Sequence, residues 1–317
     1  MTVTTRAVAV GIVAALVQAL MLVAFAWPAA NLKPRDLPVA VAGPQAAAVA
    51  GKLSAHDPGA FEIHTLADES AAVAAIGDRE VYGAIVTGGE PRVLVASAAS
   101  PVVAQQLTAI AQQLSGSAVA PVRDVVAADP HDPRGAAFGA MVLPLVMAGI
   151  AAGALLCLLV SAVGARALGL VTFGIAAGLL SMAVVQGWLR LLPGNYLVLA
   201  GVAGLVSVSV AGTIVALHAL IGPPGIGLGA LTMLLIGNPF SGATSAPELL
   251  PRPWGTIGQS LPLGAAASLL RSVAYFDGRA AAGPLAVLLI WTAAALVLLG
   301  AGALRTRRAP VAEPVPA

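Results

Sequence analysis

The sequence predicts an α-helical polytopic membrane protein of about six transmembrane helices, with a small extracytoplasmic α/β domain inserted between helices 1 and 2. Three observations predict it. Apolar residues make up 59% of the chain and charged residues 9%, with a mean hydropathy of +0.93, where a soluble domain carries roughly a quarter charged residues. Charge is also unevenly spread: it is concentrated from Lys33 to Arg134 and almost vanishes afterwards. Finally, apolar runs of about 20 residues, the length that crosses a hydrocarbon core of about 30 Å, recur between short polar breaks.

The first run extends from Ala7 to Ala30, between Arg6 and Lys33. Its start resembles a secretory leader, and "AFAWPAA" offers small residues for cleavage. A leader's apolar core is about 7–15 residues, however, and this one is longer, which favours an uncleaved signal anchor. Phe138–Val160 gives a second span, Leu168–Trp188 a third after a short connection at Arg166, and Tyr196–Leu220 a fourth. The paired prolines of "GPPG" (222–225) cannot continue a helix. Gly225–Phe240 is a short fifth span and Pro284–Leu304 a sixth. Trp27, Trp188 and Tyr196 fall near span ends, as in an interfacial aromatic belt.

Six spans put both termini on one side. Arg6 and the arginines of "RTRRAP" (305–310) assign that side to the cytoplasm by the positive-inside rule, although Arg190, Arg252, Arg271 and Arg279 then lie outside. The expected organisation is a signal-anchor helix (1–30), an extracytoplasmic α/β domain (31–135), a five-helix membrane domain (136–305) with an interfacial segment (238–283), and a cytoplasmic tail (306–317).

Within 31–135 the pattern changes from apolar runs to short alternating elements. "LPVAVAG" (37–43) reads as a strand and "PQAAAVAGKL" (44–53) as a helix. "FEIHTL" (61–66) alternates as a half-buried strand does. "DESAAVAAIG" (68–77) begins with acids suited to a helix N-terminus. "EVYGAIVT" and "RVLVAS" flank the turn signal "GGEP" (88–91). "SPVVAQQLTAIAQQL" (100–114) places Val103, Leu107, Ile110 and Leu114 on one helical face, and "PVRDVVAA" (121–128) is a last strand. The order βαβαββαβ suits a compact α/β domain.

The chemistry this chain can carry is restricted. Gly51-Lys52 is no phosphate loop: seven residues separate Gly43 from Gly51 and Leu53 follows the lysine, where the motif needs four and a Ser or Thr. Lys33 is the only other lysine, so ATP hydrolysis by that route is excluded. His56, Asp57, Glu62 and His64, and "DPHDP" (129–133), lack a recognised metal-ligand spacing. Cys157 is the only cysteine, which rules out an intramolecular disulfide. No nucleophile elbow or HExxH pair occurs, so no enzyme activity, cofactor or metal is expected. The net charge of +2 and the lack of a basic patch give no reason to expect nucleic acid. His218 is the only His, Asp, Glu, Lys or Arg between Arg190 and Glu248. With no Asp, Glu, Lys or Arg placed inside a span, a proton- or voltage-driven machine is disfavoured. The Gly- and Ala-rich "GIAAGLLS" (174–181) and "GVAGLVSVSVAG" (201–212) allow helices to approach closely, either within one bundle or at a dimer face.

One segment departs from the pattern. "NPFSGATSAPELLPRPWG" (238–255) is turn-rich directly after a short span, and "SLPLGAAASLLRSVAYF" (260–276) is broken by Pro262 and Arg271 yet apolar enough to lie at the interface. Backbone that is not helical at membrane depth must be buried in protein or line a wet cavity. The candidate gate residues are therefore Asn238, Pro239, Gly242, Pro247, Glu248, Pro251, Trp254, Pro262, Arg271 and Tyr275.

These motifs, with "LRSVAYFDG" (270–278) and "DESAAVAAIGDREVYGAIV" (68–86), resemble the type-2 ABC exporter permeases. More narrowly, they are similar to the actinobacterial branch and to the related phage-infection-protein-like membrane proteins. The resemblance covers nearly the whole chain. It implies a multi-pass permease of the plasma membrane, working as a homodimer or paired permease among membrane lipids, with energy from a separate cytoplasmic ATP-binding-cassette ATPase. The cargo it implies is lipid-like, hydrophobic or drug-like. The chain departs from the family in the short stretch before Arg6 and the short connection around Arg166, where an ATPase contact is expected. The alternative is a surface receptor or envelope-scaffold protein acting through its outer domain.

Overall fold

The computed structural model describes residues 2–88, 92–115 and 121–307. The turn expected at 88–91 and the tail from 308 onward fall largely or wholly outside the described residues. Among the described residues, five helices are long and apolar enough to cross a membrane: α1 (Val3–Ala30), α5 (Ala136–Leu159), α6 (Val163–Met182, prolonged by a π-helical turn to Trp188), α7 (Tyr196–Ile221) and α11 (Ala282–Arg307). The chain is thus an α-helical, multi-pass membrane protein.

α7 is the axis of the bundle and is buried along most of its length, with α5, α6 and α11 packed around it. Small residues set the spacing. A Cβ on Gly178 would lie 2.2 Å from the Ala200 carbonyl oxygen, and one on Gly204 would lie 2.6 Å from that of Gly174. The two glycine-rich stretches therefore meet each other within one chain, where backbone touches backbone as small-residue pairs permit. Arg166, expected in the connection, lies in the first turn of α6. It folds back to donate to the Val160 and Cys157 carbonyls, at 2.6 and 3.2 Å, satisfying acceptors that the end of α5 leaves open.

The expected fifth span differs. Residues 224–237 form α8 (Pro224–Leu231) and a π-helical turn (Thr232–Gly237), 8 and 6 residues long. At 1.5 Å per residue this reaches about 20 Å, short of a bilayer core of about 30 Å. Pro223 and Pro224 set its start, and Asn238-Pro239 ends it, because proline has no amide hydrogen for the ladder. The chain then turns through a 3₁₀ turn (Pro247–Leu249), α9 (Trp254–Gln259) and α10 (Pro262–Tyr275).

Among the described residues between α1 and α5, five strands form one sheet: β1 (Leu37–Ala42), β2 (Phe61–Leu66), β3 (Gly83–Val86), β4 (Arg92–Val95) and β5 (Val122–Asp124). Their order is β2-β1-β3-β4-β5, with only the β3–β4 pair antiparallel. The connecting helices are α2 (Ala46–His56), α3 (Glu69–Gly77) and α4 (Pro101–Ser115). Asp68 caps α3 by accepting from the Ala71 amide at 2.9 Å, as the acidic start of that segment predicts.

Strand alternation divides the core in two. Ala40, Ala42, Ala84, Val86 and Leu94 face α3, together with Phe276. Leu37, Val39, Val93 and Val95 face the α2 and α4 side with Leu53, Val103 and Leu107, and here Ala246 and Leu249 join. The turn-rich segment thus inserts Ala246 and Leu249 into one face of the sheet unit and the end of α10 inserts Phe276 into the other, which is why sheet and bundle meet as one packed body.

Candidate functional site

The residues between α7 and α11 are not a lipid-lying strip. α10, expected at the membrane interface, is buried on nearly every side. It packs against α7 and α11, and Leu263 at its start meets Gly237 while Ala274 near its end meets Gly194 just before α7. The hydrophobicity that resembled an interfacial face is spent on protein contacts. α8 rises from one end of the bundle, α10 occupies the half near the sheet unit, and a turn-rich stretch with the 3₁₀ turn and α9 joins them against the sheet unit. At that joint a Cβ on Gly258 would fall 1.7 Å from the Phe240 oxygen, so only glycine permits the approach.

Arg271 braces this backbone. It is 6% exposed and donates to the carbonyls of Ala243 at 2.6 Å and Gly242 at 3.3 Å. Its guanidinium lies 4.6 Å from the centre of the Phe138 ring on α5, a cation–π arrangement. Gly242 turns with φ +67°, Asn238 and Pro239 close the preceding π-helical turn, and Pro262 opens α10. Trp254 stacks on Phe240 at 4.6 Å, with its amide bonded to the Pro251 carbonyl. Tyr275 packs against both the bundle core and the sheet core.

Pro247 and Glu248 belong elsewhere. They border a cavity of about 520 Å³ between the sheet unit and the segment 247–284. Its opposite wall comes from the end of α3 and residues 79–82 that lead into β3. Arg79 follows the C-cap of α3 with φ 62°, in the left-handed position that glycine most often fills after a helix. That turn carries its guanidinium to the Ser268 carbonyl, 2.9 Å away, and to the Ser272 hydroxyl, beneath the Phe276 ring. Burial lowers the pKa of Arg79, while Tyr82 and Glu248 act against the shift.

Three residues on, the Tyr82 hydroxyl donates to Glu248 Oε2 at 2.8 Å. Burial first, and the Glu248 charge second, push the Tyr82 phenol far above its ordinary value, so it remains a donor throughout the neutral range. Other polar links lock the same seam. Arg35 donates to the Leu249 carbonyl at 2.7 Å, Arg252 pairs with Asp36, and Arg279 pairs with Asp78 at 3.2 Å.

Of the residues expected to form a gate, the structure brings Pro247 and Glu248 to the cavity and places Gly242 and Arg271 in the brace behind it. Arg79, Tyr82 and Arg35 were not legible as site residues. Each stands in an ordinary surface pattern of the sheet unit, and no local signal marks it. Comparison of the chain with protein-family models, with curated proteins and with solved structures finds no match. For metals, His64 meets Glu62 and His131 meets Asp129, but no group of three ligating side chains assembles among the described residues.

Proposed function

We propose that the chain is the membrane-spanning permease subunit of an ABC-type exporter of the plasma membrane, driven by a separate cytoplasmic ATPase. In this reading the sheet unit is extracytoplasmic, both termini are cytoplasmic, and the cargo is lipid-like, hydrophobic or drug-like. Two copies, or a copy and a related permease, form the working unit among membrane lipids.

The observation that carries the reading is the broken crossing between α7 and α11. Two partial helices meet where Leu263 touches Gly237, and the segment joining them packs against the sheet unit and borders a cavity. Discontinuous helices of this kind are tolerated where they line a route or a site, and transporters use them to bind and release cargo. The absence of a phosphate loop in the sequence is why the energy is assigned to another subunit.

The test is purification from its native membrane in mild detergent. An ATP-binding-cassette subunit is expected to copurify, and ATPase activity should rise when cargo is added to the reconstituted complex. Recovery of the chain with no associated or stimulatable ATPase would overturn the proposal.

A further inference from the structure

We propose that the cavity between the sheet unit and the 247–284 segment binds a zwitterionic amphiphile: an ammonium and an anionic group, phosphate or carboxylate, carried on an apolar chain. This deepens the permease reading and rests on it, because it names the class of cargo that the site would take.

The inference follows from which charges at the cavity are already engaged. Arg252 and Asp36 satisfy each other. Arg35 spends its guanidinium on the main-chain oxygens of Asn31, Lys33 and Leu249. Glu80 is exposed at the rim. Two groups remain. Arg79 hydrogen-bonds only through Nη1, to Ser268 and Ser272, with its guanidinium against the Phe276 ring, and forms no ion pair among the described residues. Glu248 commits only Oε2, to Tyr82, and its second oxygen has no partner among them.

The wall therefore offers one guanidinium edge and one carboxylate oxygen that do not pair with each other. A simple anion would be repelled by Glu248 and a simple cation by Arg79. A molecule bearing both charges is matched, and a planar guanidinium suits either a phosphate or a carboxylate. The rest of the lining includes Ile76, Val81, Leu250 and Phe276, and the cavity reaches Pro284 at the start of α11, beside the outward-facing Leu285. In the proposal the apolar chain lies against these side chains and leaves along α11. The volume falls in the range of small-molecule sites, about 300–1,000 Å³. The left-handed backbone at Arg79 fits the same view, since glycine would hold that turn with less strain but without the guanidinium.

The experiment measures binding to the full chain in an uncharged detergent, by competition against a fluorescent lysophosphatidylethanolamine. The competitors are unlabelled lysophosphatidylethanolamine, lysophosphatidylglycerol, a monoacylglycerol, and 2-aminohexadecanoic acid. At least one of the two zwitterions should bind about tenfold or more tighter than lysophosphatidylglycerol and the monoacylglycerol, and whichever does so names the anion. Glu248→Gln, which keeps an acceptor for Tyr82, should abolish the preference of zwitterion over anion. Arg79→Gln should weaken zwitterion and anion alike. If Arg79→Gln does not fold, the Glu248→Gln result decides alone.

Equal binding of all four amphiphiles, or wild-type selectivity in Glu248→Gln, would overturn the proposal. The two readings fail separately. Charge-selective binding without any ATPase partner would leave this site standing and remove the permease. ATPase-coupled export without that selectivity would do the reverse.

Discussion

The crossing of α6 and α7 offers a sharp test of how the bundle is held, because one alanine should break it and another should strengthen it. In Gly178→Ala the new Cβ falls 2.2 Å from the Ala200 oxygen and 3.0 Å from the Gly204 nitrogen. Both are main-chain atoms of α7, so no side chain can rotate away. Relief requires the helices to separate by about 1 Å, and a gap of that size forfeits roughly a quarter to a half of each dispersion contact it opens. Overpacking of this kind costs about 1–3 kcal/mol, and the rigid neighbour places this case in the upper part of the range. Gly201, on α7 itself, has nothing within 4 Å of its Cβ position. Gly201→Ala should stabilise by about 0.5–1 kcal/mol through helix propensity alone. Thermal unfolding of the purified chain in detergent, followed by tryptophan fluorescence, reads both. A Gly178→Ala midpoint at or above wild type would refute the argument. So would dissociation of a dimer with unchanged unfolding, which would assign the glycines to contacts between copies.

Three further outcomes are expected. Arg271→Met removes the donor to two buried carbonyls, at a cost of about 1–3 kcal/mol for each acceptor left unpaired, offset in part by no longer burying a cation. The same unfolding assay should show a clear loss, and Arg271→Lys should recover only part of it, since one ammonium cannot reproduce the guanidinium fork. Tyr82→Phe should cost about 1.5–3 kcal/mol, the range for a hydrogen bond to a charged group. Because the folded-state pKa of Tyr82 is raised, its contribution is complete below the ordinary phenol value and fades only as pH climbs above it. Tyr82→Phe should therefore flatten the alkaline limb of the stability profile and leave the neutral region parallel to wild type. For the proposed topology, exposed Ser54 in the sheet unit and exposed Ser161 between α5 and α6 can each be replaced by Cys in a Cys157→Ala background. A membrane-impermeant maleimide should label Ser54→Cys in intact cells and Ser161→Cys only after permeabilisation; the reverse pattern would invert the protein.

Local elements were legible because their causes are local. β1, α2, β2, α3 and α4 follow from alternation, helical periodicity and the Asp68 cap, all contained in a few neighbouring residues. α5, α7 and α11 follow from runs of apolar side chains that need no partner to be recognised. The segment 238–276 could be seen to break the pattern, but its environment could not be read from it. A helix such as α10, apolar with one arginine, has the same composition whether it lies on lipid or inside protein. Arg271 was expected outside the spans, yet it is buried, because Phe138, Gly242 and Ala243 come from distant parts of the chain to receive it.

The sequence alone determined that this is a multi-pass helical membrane protein and where its polar insertion lies. Hydropathy and spacing suffice for those conclusions, since each depends on counting residues along one stretch. Only the tertiary structure decided that the expected fifth span stops short and passes through α9 to a buried α10, that the glycine stripes of α6 and α7 meet each other, and that Arg79 and Glu248 face one cavity. Those outcomes depend on which surfaces complement one another in space. Arg79 and Glu248 stand far apart in the chain, and only the packing of Phe276 and Leu249 into opposite faces of the sheet brings them together.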